Sequence, residues 1–300
     1  VSPTDTKNSL IDNWSGGRST LSFEFFPPKE ESGIATTETV ISDIASSTVP
    51  DFVTVTFGAG GTARGLSRRL VHFCTESLNL PTLAHITCRD LTIAEIDQTL
   101  SEYHEAGAFG ILGLRGDPPK GSTVFTPHPE GFESSCDLIK HIADRKQFLV
   151  AVAGYPEKHR DAPTMAADIE FLKRKIDAGA SVIMTQLFFD NEHFYRYCDE
   201  LVRLGIHAPV LAGIMPVANL AQLTRFIGFC GATIPNGLMQ RLEAVKDSPD
   251  DVAKIGTDHA IEQCHDLLAH GVKGLHFYTL NRPQQIIGIC RGLGLNRGNS

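Results

Sequence analysis

The residues of this chain with the clearest chemical potential sit where apolar runs stop. Gly110 to Leu114 is apolar and ends abruptly at Arg115-Gly116-Asp117, with Pro118-Pro119 following. Glycine lets a backbone approach a ligand closely, and the prolines stiffen the exit. The plain alternative is a loop with a surface ion pair, which contributes little. Leu21 to Phe26 is a second run, interrupted by Glu24 and closed by Pro27-Pro28. A carboxylate among aromatics is costly if ionised and alone, so Glu24 is expected to have a partner or a raised pKa. A raised pKa suits a general acid. Asp117, beside Arg115, is expected to stay ionised, and an ionised group near a redox-active ring tunes its electron density. Thr56, His85, Tyr155, Gln186, Asn281 and Arg282 close other apolar runs. Tyr155, His159, Asp168 and Lys175 have side chains of the types that bind sugar, adenine and phosphate groups. Together these residues point to a cofactor-using enzyme with a proton donor, without identifying the reaction.

The elements that must position these groups recur along the chain. Apolar, β-branched or aromatic runs begin near residues 21, 52, 82, 109, 147, 181, 209 and 272, and helical sequence follows each one. Alternating βα units with near-continuous apolar strands imply a parallel sheet. Eight of them imply an α/β protein with a closed (β/α)8 TIM barrel as a single domain over 21–293. An irregular N-terminal arm is expected over 1–20 and a short tail over 294–300. In such a barrel the C-terminal strand ends meet at one mouth, where catalytic residues sit. Thr92 and Glu95 read as a capping box. Residues 118–131, rich in Pro, Gly and Thr, read as a long functional loop.

Composition removes several function classes. A net charge of −8 leaves no electrostatic footprint for nucleic acid or an anionic membrane surface. No apolar run reaches the roughly 18 residues of a membrane span. Val1 to Thr20 is polar and lacks the apolar core of a signal peptide. The cysteines (74, 88, 136, 198, 230, 264 and 290) are odd in number and never form a C-x-x-C pair. They read as reduced thiols in a cytoplasmic protein. Gly58-Ala59-Gly60-Gly61-Thr62-Ala63 matches G-x-G-x-x-A, but the candidate acid, Asp90, lies 32 residues past Gly58 and beyond the next strand. That is wrong for a dinucleotide fingerprint, so these glycines are expected to let a loop approach a flat ligand. No cluster has metal-ligand spacing. No predicted strand ends in the lysine that a Schiff-base lyase would need.

Several ordered stretches resemble one family. They are Phe23-Glu24-Phe25-Phe26-Pro27-Pro28-Lys29, Val53 to Gly61, His85-Ile86-Thr87-Cys88, Leu114-Arg115-Gly116-Asp117, Tyr155-Pro156-Glu157, Lys173 to Ala180, Thr185-Gln186-Leu187-Phe188-Phe189-Asp190 and His276 to Arg282. In this order, over residues 21 to about 293, the chain is similar to the 5,10-methylenetetrahydrofolate reductases, at the length of a bacterial catalytic chain.

The resemblance implies an FAD-containing (β/α)8 barrel that reduces 5,10-methylenetetrahydrofolate to 5-methyltetrahydrofolate and supplies methyl groups for methionine synthesis. NADH or NADPH is the implied hydride donor, in ping-pong order, and a homo-oligomer is the implied assembly. Glu24 matches the general acid that helps open the folate ring, and Asp117 matches the carboxylate beside the flavin and the pterin. Gln186, Gln222 and Arg282 match folate contacts, and Phe226 matches an aromatic that stacks on either substrate. Thr56, Ala59, His85, Arg115, Gly116, Tyr155, His159, Asp168, Arg174 and Lys175 match flavin contacts. The family's Tyr-Ala-Ser-Asp-Leu reads Ser134-Ser135-Cys136-Asp137-Leu138 here, and Phe171 stands where a polar residue is common. Three alternatives stay open: a flavin-independent form of the same reduction, a related flavin barrel such as a proline dehydrogenase, and a non-catalytic folate binder. The second leaves Asp117, Gln186 and Arg282 poorly explained, and the third needs no proton donor.

Overall fold

The apolar runs of the sequence form eight parallel strands: β1 (Thr20–Phe25), β2 (Phe52–Val55), β3 (Thr82–Thr87), β4 (Gly110–Leu114), β5 (Leu149–Gly154), β6 (Val182–Thr185), β7 (Val210–Ile214) and β8 (Gly274–Tyr278). The computed structural model describes residues 2–58, 61–117 and 125–296. Each strand pairs with the next, and β8 pairs with β1, so the sheet closes into the expected (β/α)8 barrel. The closing ladder runs from Thr20 opposite Gly274 to Glu24 opposite Tyr278.

Strand alternation decides which side chains reach the barrel axis. On β1, Leu21, Phe23 and Phe25 join the core under the helices, so Ser22 and Glu24 face inward. On β3, Ala84 and Ile86 face the helices, and on β8 Leu275 and Phe277 do. His85 and His276 are therefore inward as well. Phe52, Leu83, Phe109, Leu112, Leu149, Ala151, Val182, Met184 and Leu211 fill the lower interior.

The helices are α1 (Pro3–Gly16), α2 (Ile34–Ser47), α3 (Gly61–His72), α4 (Ile93–Glu105), α5 (Ser135–Asp144), α6 (Met165–Asp177), α7 (Asn191–Arg203), α8 (Leu220–Cys230), α9 (Asn236–Ala244), α10 (Pro249–Ala269) and α11 (Pro283–Gly292). Thr92 caps α4 in a reciprocal capping box with Glu95. Among the described residues no helix is long and apolar enough to cross a membrane.

The arm expected to be irregular over 1–20 is instead largely α1. Ser2 caps it, its hydroxyl accepting from Asp5 N at 3.2 Å, and Pro3 supplies a first-turn residue that needs no N–H partner. Leu10 and Trp14, one turn apart, insert into the lower interior cluster, and the Trp14 indole donates to Thr20 Oγ1 at 3.0 Å. Two buried apolar residues give too weak a periodic signal to read from sequence. The helix is held by the barrel floor it closes.

Candidate functional site

Nine of the residues singled out in the sequence converge at the C-terminal mouth. Glu24, Thr56, His85, Arg115, Gly116, Asp117, Tyr155, His159 and Gln186 line a cavity of about 480 Å³, together with His276 and Tyr278. A second cavity of about 300 Å³ adjoins it and shares Leu114, Arg115, Ala153, Tyr155 and His159. Asp161, Asp168, Phe171, Lys175 and Ser135 line that side. The two form one trough running from the barrel axis toward α6.

At the axial end Glu24 is 6% exposed, and its Oε2 lies 3.7 Å from His85 Nε2 and 3.9 Å from His276 Nε2. Burial lowers the His85 pKa to about 4; Glu24 opposes the shift and His276 adds to it. The imidazole is thus neutral at neutral pH, and among the described residues its Nε2 has no hydrogen-bond partner. His276 Nδ1 lies 2.9 Å from Ser22 Oγ. The Tyr278 hydroxyl donates to Thr185 O at 2.7 Å, and burial pushes its pKa far up, so it is a neutral wall of the site.

The surface ion pair of Arg115 with Asp117, the plain alternative for this loop, does not form among the described residues. Gly116 has φ +90°, which turns the chain between them. The Arg115 Nη2 donates instead to Asp161 Oδ2 at 2.7 Å, and its hydrogen bond holds the Asp161 carboxyl below the usual range. The Asp117 side chain is exposed, while its carbonyl accepts from Arg89 Nη1 at 2.6 Å. Glycine is needed at 116, because a Cβ there would lie 2.8 Å from Arg89 Cβ.

At the outer end Asp168 Oδ2 accepts from His159 N at 2.8 Å. Burial raises the Asp168 pKa and lowers those of Lys175 and His159. The Lys175 ammonium lies 5.1 Å from the centre of the Phe171 ring and donates to Ala153 O at 3.4 Å. Tyr155 is half-buried and edge-on to His159, with ring centres 4.6 Å apart, and desolvation pushes its phenol up. Ser134 caps α5 reciprocally with Asp137.

Other expected residues do not reach the trough. Gln222 and Phe226 lie on α8, Arg174 on α6 and Arg282 at the start of α11, and none lines either cavity. Phe226 packs against the cluster of Leu187, Phe189, Met215 and Leu223. The exposed Arg174 guanidinium sits 5.3 Å over Phe171. Ala59 lies outside the described residues. Conversely, His276, Tyr278, Phe57, Arg64, Arg89 and Asp90 line the mouth without having been singled out as site residues. Alternation along His276-Phe277-Tyr278 was the signal for the first two. Among the described residues no group of three or more His, Cys, Asp or Glu side chains is arranged to hold a metal ion.

This geometry accompanies clear sequence kinship. The methylenetetrahydrofolate reductase family matches residues 10–294. The chain is 37% identical over 290 residues to methylenetetrahydrofolate reductase (NADH) 1 of Arabidopsis thaliana, covering 93% of this chain and 49% of that protein. It is 36% identical over 283 residues to 5,10-methylenetetrahydrofolate reductase of Escherichia coli, covering 94% of this chain and 93% of that one. The chain thus spans about half the length of the plant and yeast relatives it matches, and nearly all of the bacterial one. Among solved structures, an uncharacterized Clostridium thermocellum protein that binds two copies of 5-methyl-5,6,7,8-tetrahydrofolic acid superposes with a TM-score of 0.62. The superposition covers 95% of this chain and 97% of that one at 15% identity, a likeness of fold alone. With a family match spanning the whole barrel, the chain belongs to the methylenetetrahydrofolate reductase family.

Proposed function

We propose that this chain reduces 5,10-methylenetetrahydrofolate to 5-methyltetrahydrofolate, using bound FAD and a reduced nicotinamide donor. NADH is the donor we favour, because the Arabidopsis relative is named for it. The observation that carries the reading is Glu24: a carboxyl 6% exposed, at the axial end of a trough, flanked by two imidazoles.

The trough residues fit FAD. Gly116 presents bare backbone where a Cβ would strike Arg89. His85 Nε2 is buried without a hydrogen-bond partner among the described residues, ready for a ring atom. Arg115 and Lys175 supply cations for a pyrophosphate, and Tyr155, His159 and Asp168 supply groups for ribose and adenine. Bound FAD supplies a hydride relay that lets nicotinamide and folate use one site in turn.

The chain's own side chains do the rest. Glu24 donates a proton to the folate nitrogen as its bond to the bridging carbon breaks and the five-membered ring opens. Asp117, as a carboxylate, steadies the cation that forms. His85, neutral with a pKa near 4, does not compete as an acid. Gln186 accepts from Leu187 N through Oε1 at 2.9 Å, which leaves its NH₂ to donate to the pterin. Gln222, Phe226 and Arg282 are further folate contacts in this reading, although none of them lines either cavity here. A cytoplasmic setting, a homo-oligomer and methyl supply for methionine synthesis belong to the same reading.

The test is anaerobic stopped-flow absorbance on FAD-loaded protein. NADH bleaches the oxidised flavin bands, and methylenetetrahydrofolate restores them. Glu24→Gln keeps the bleaching and slows the return by about 10²-fold or more. A return unaffected by Glu24→Gln overturns the assignment. Ser134, in place of the family's tyrosine, favours one second reading, direct transfer from nicotinamide to folate, and turnover by flavin-free protein would establish it.

A further inference from the structure

The ladder between β1 and β8 ends at the pair of Glu24 and Tyr278. Glu24 is the penultimate residue of β1, and Pro27 and Pro28 beyond it have no N–H to pair. The ladder would therefore stop at the proton donor itself. Hydrogen bonding is carried past that pair by side chains, because β8 leads into a turn at Leu280 and Asn281 with φ +50° and +53°. Few non-glycine residues adopt this region, and a leucine there is a true outlier. The turn carries the Asn281 side chain across to β1. Its Oδ1 accepts from Phe26 N at 3.1 Å, and its Nδ2 donates to Phe26 O at 2.9 Å. A backbone N–H only donates and a carbonyl only accepts, so the amide has one orientation. It acts as a peptide group of the strand that β8 no longer provides.

Thr279 continues the same device. Its Oγ1 donates to Glu24 O at 2.6 Å and accepts from Asn281 N at 3.1 Å. The carbonyl of Glu24 and both polar backbone atoms of Phe26 are thus tied to residues 279–281. None of these bonds engages the Glu24 carboxyl, which is left facing the trough.

We infer that Asn281 is a positioning residue for Glu24. By pairing with Phe26 as a strand would, it fixes the backbone from which the carboxyl is presented to the bound folate. This inference rests on the reading of Glu24 as the proton donor. Misplacement of a reacting group by about 1 Å costs on the order of 10²-fold in rate, so a clamp one or two residues from the donor has large leverage.

The experiment compares Asn281→Gly, Asn281→Asp and Glu24→Gln, alone and combined, in the folate half-reaction, the nicotinamide half-reaction and amide exchange at Phe26. Glycine keeps the positive φ and removes the amide, so strain and clamp are separated. Aspartate keeps the acceptor and loses the donor. Asn281→Gly is expected to lose Phe26 protection, slow the folate half-reaction at least about tenfold and leave the nicotinamide half-reaction unchanged. Asn281→Asp falls between it and the parent. In a Glu24→Gln background, Asn281→Gly is expected to add less than about twofold, because it acts through Glu24. Equal slowing in both backgrounds marks a general structural role and overturns the inference, as does an unchanged folate step after Phe26 protection is lost. A full folate-step rate in Glu24→Gln alone overturns the donor assignment and this inference with it. A crippled Glu24→Gln beside an additive Asn281→Gly overturns the inference alone.

Discussion

Arg115 Nη2 donates to Asp161 Oδ2 at 2.7 Å, so the guanidinium that ends β4 is bound to the loop after β5 and turned away from Asp117. The pair spans the shared wall of the two cavities and ties together the segments that line them. Asp117 is exposed and lines the first cavity.

Asp161→Asn tests the energetic weight of that pair. Both side chains are about a third exposed, so the loss at neutral pH is expected to stay below about 1 kcal/mol. The Asp161 pKa is depressed in the folded state, so the pair's contribution is present above the ordinary value of 3.8 and lost as pH falls below it. Urea titrations of parent and variant are expected to differ slightly at pH 7 and to converge below that value. FAD affinity, measured by fluorescence quenching, is expected to fall as the shared wall loosens.

His85 gives the opposite kind of test, in a fully buried group. Its folded pKa of about 4 lies below the ordinary 6.5, so its neutral form stabilises the fold above pH 6.5. That stability is lost as pH falls from 6.5 through 4, because the unfolded chain binds a proton there and the folded one does not. The loss amounts to about 3 kcal/mol at the full shift. Glu24 and His276 face the same imidazole; Glu24 opposes the shift and His276 adds to it, and the sign stays that of burial. Denaturant midpoints are expected to drop more steeply between pH 7 and pH 4.5 for the parent than for His85→Gln. Parallel curves would contradict the buried neutral imidazole.

Gly116→Ala is expected to destabilise the chain by about 1–3 kcal/mol, since the new methyl meets both a positive φ and Arg89 Cβ at 2.8 Å. The strain lies in the wall of the trough, so FAD retention is expected to fall as well. Calorimetry and the flavin absorbance of the purified variant read the two effects separately.

Trp14→Ala tests whether α1 belongs to the barrel. Trp14 is 3% exposed against the interior floor and donates to Thr20 Oγ1. Its truncation is expected to cost about 3–5 kcal/mol, as for a core aromatic, and to leave ligand binding at the opposite end intact where the protein stays folded. A change below about 1 kcal/mol would mean that the helix is a loose appendage.

The barrel was legible because its signals are local. Eight apolar runs, each followed by helical sequence, mark the strands, and the period of two along β1, β3 and β8 turns Glu24, His85 and His276 toward one axis. Strand ends then share a mouth by topology, which is why nine of the residues singled out line one cavity. α1 was not legible, because two apolar residues one turn apart form a helix only when a barrel floor receives them.

The sequence by itself determined the (β/α)8 fold, the inward set of polar residues and the family, through short-range patterns and ordered motifs. Only the tertiary structure decided that Arg115 pairs with Asp161, that α8 holds Gln222 and Phe226 outside both cavities, and that Asn281 clamps Phe26. The bonds to Asp161 and Phe26 join residues 46 and 255 positions apart. Such pairings depend on how loops turn after each strand, and no local propensity or period carries that information.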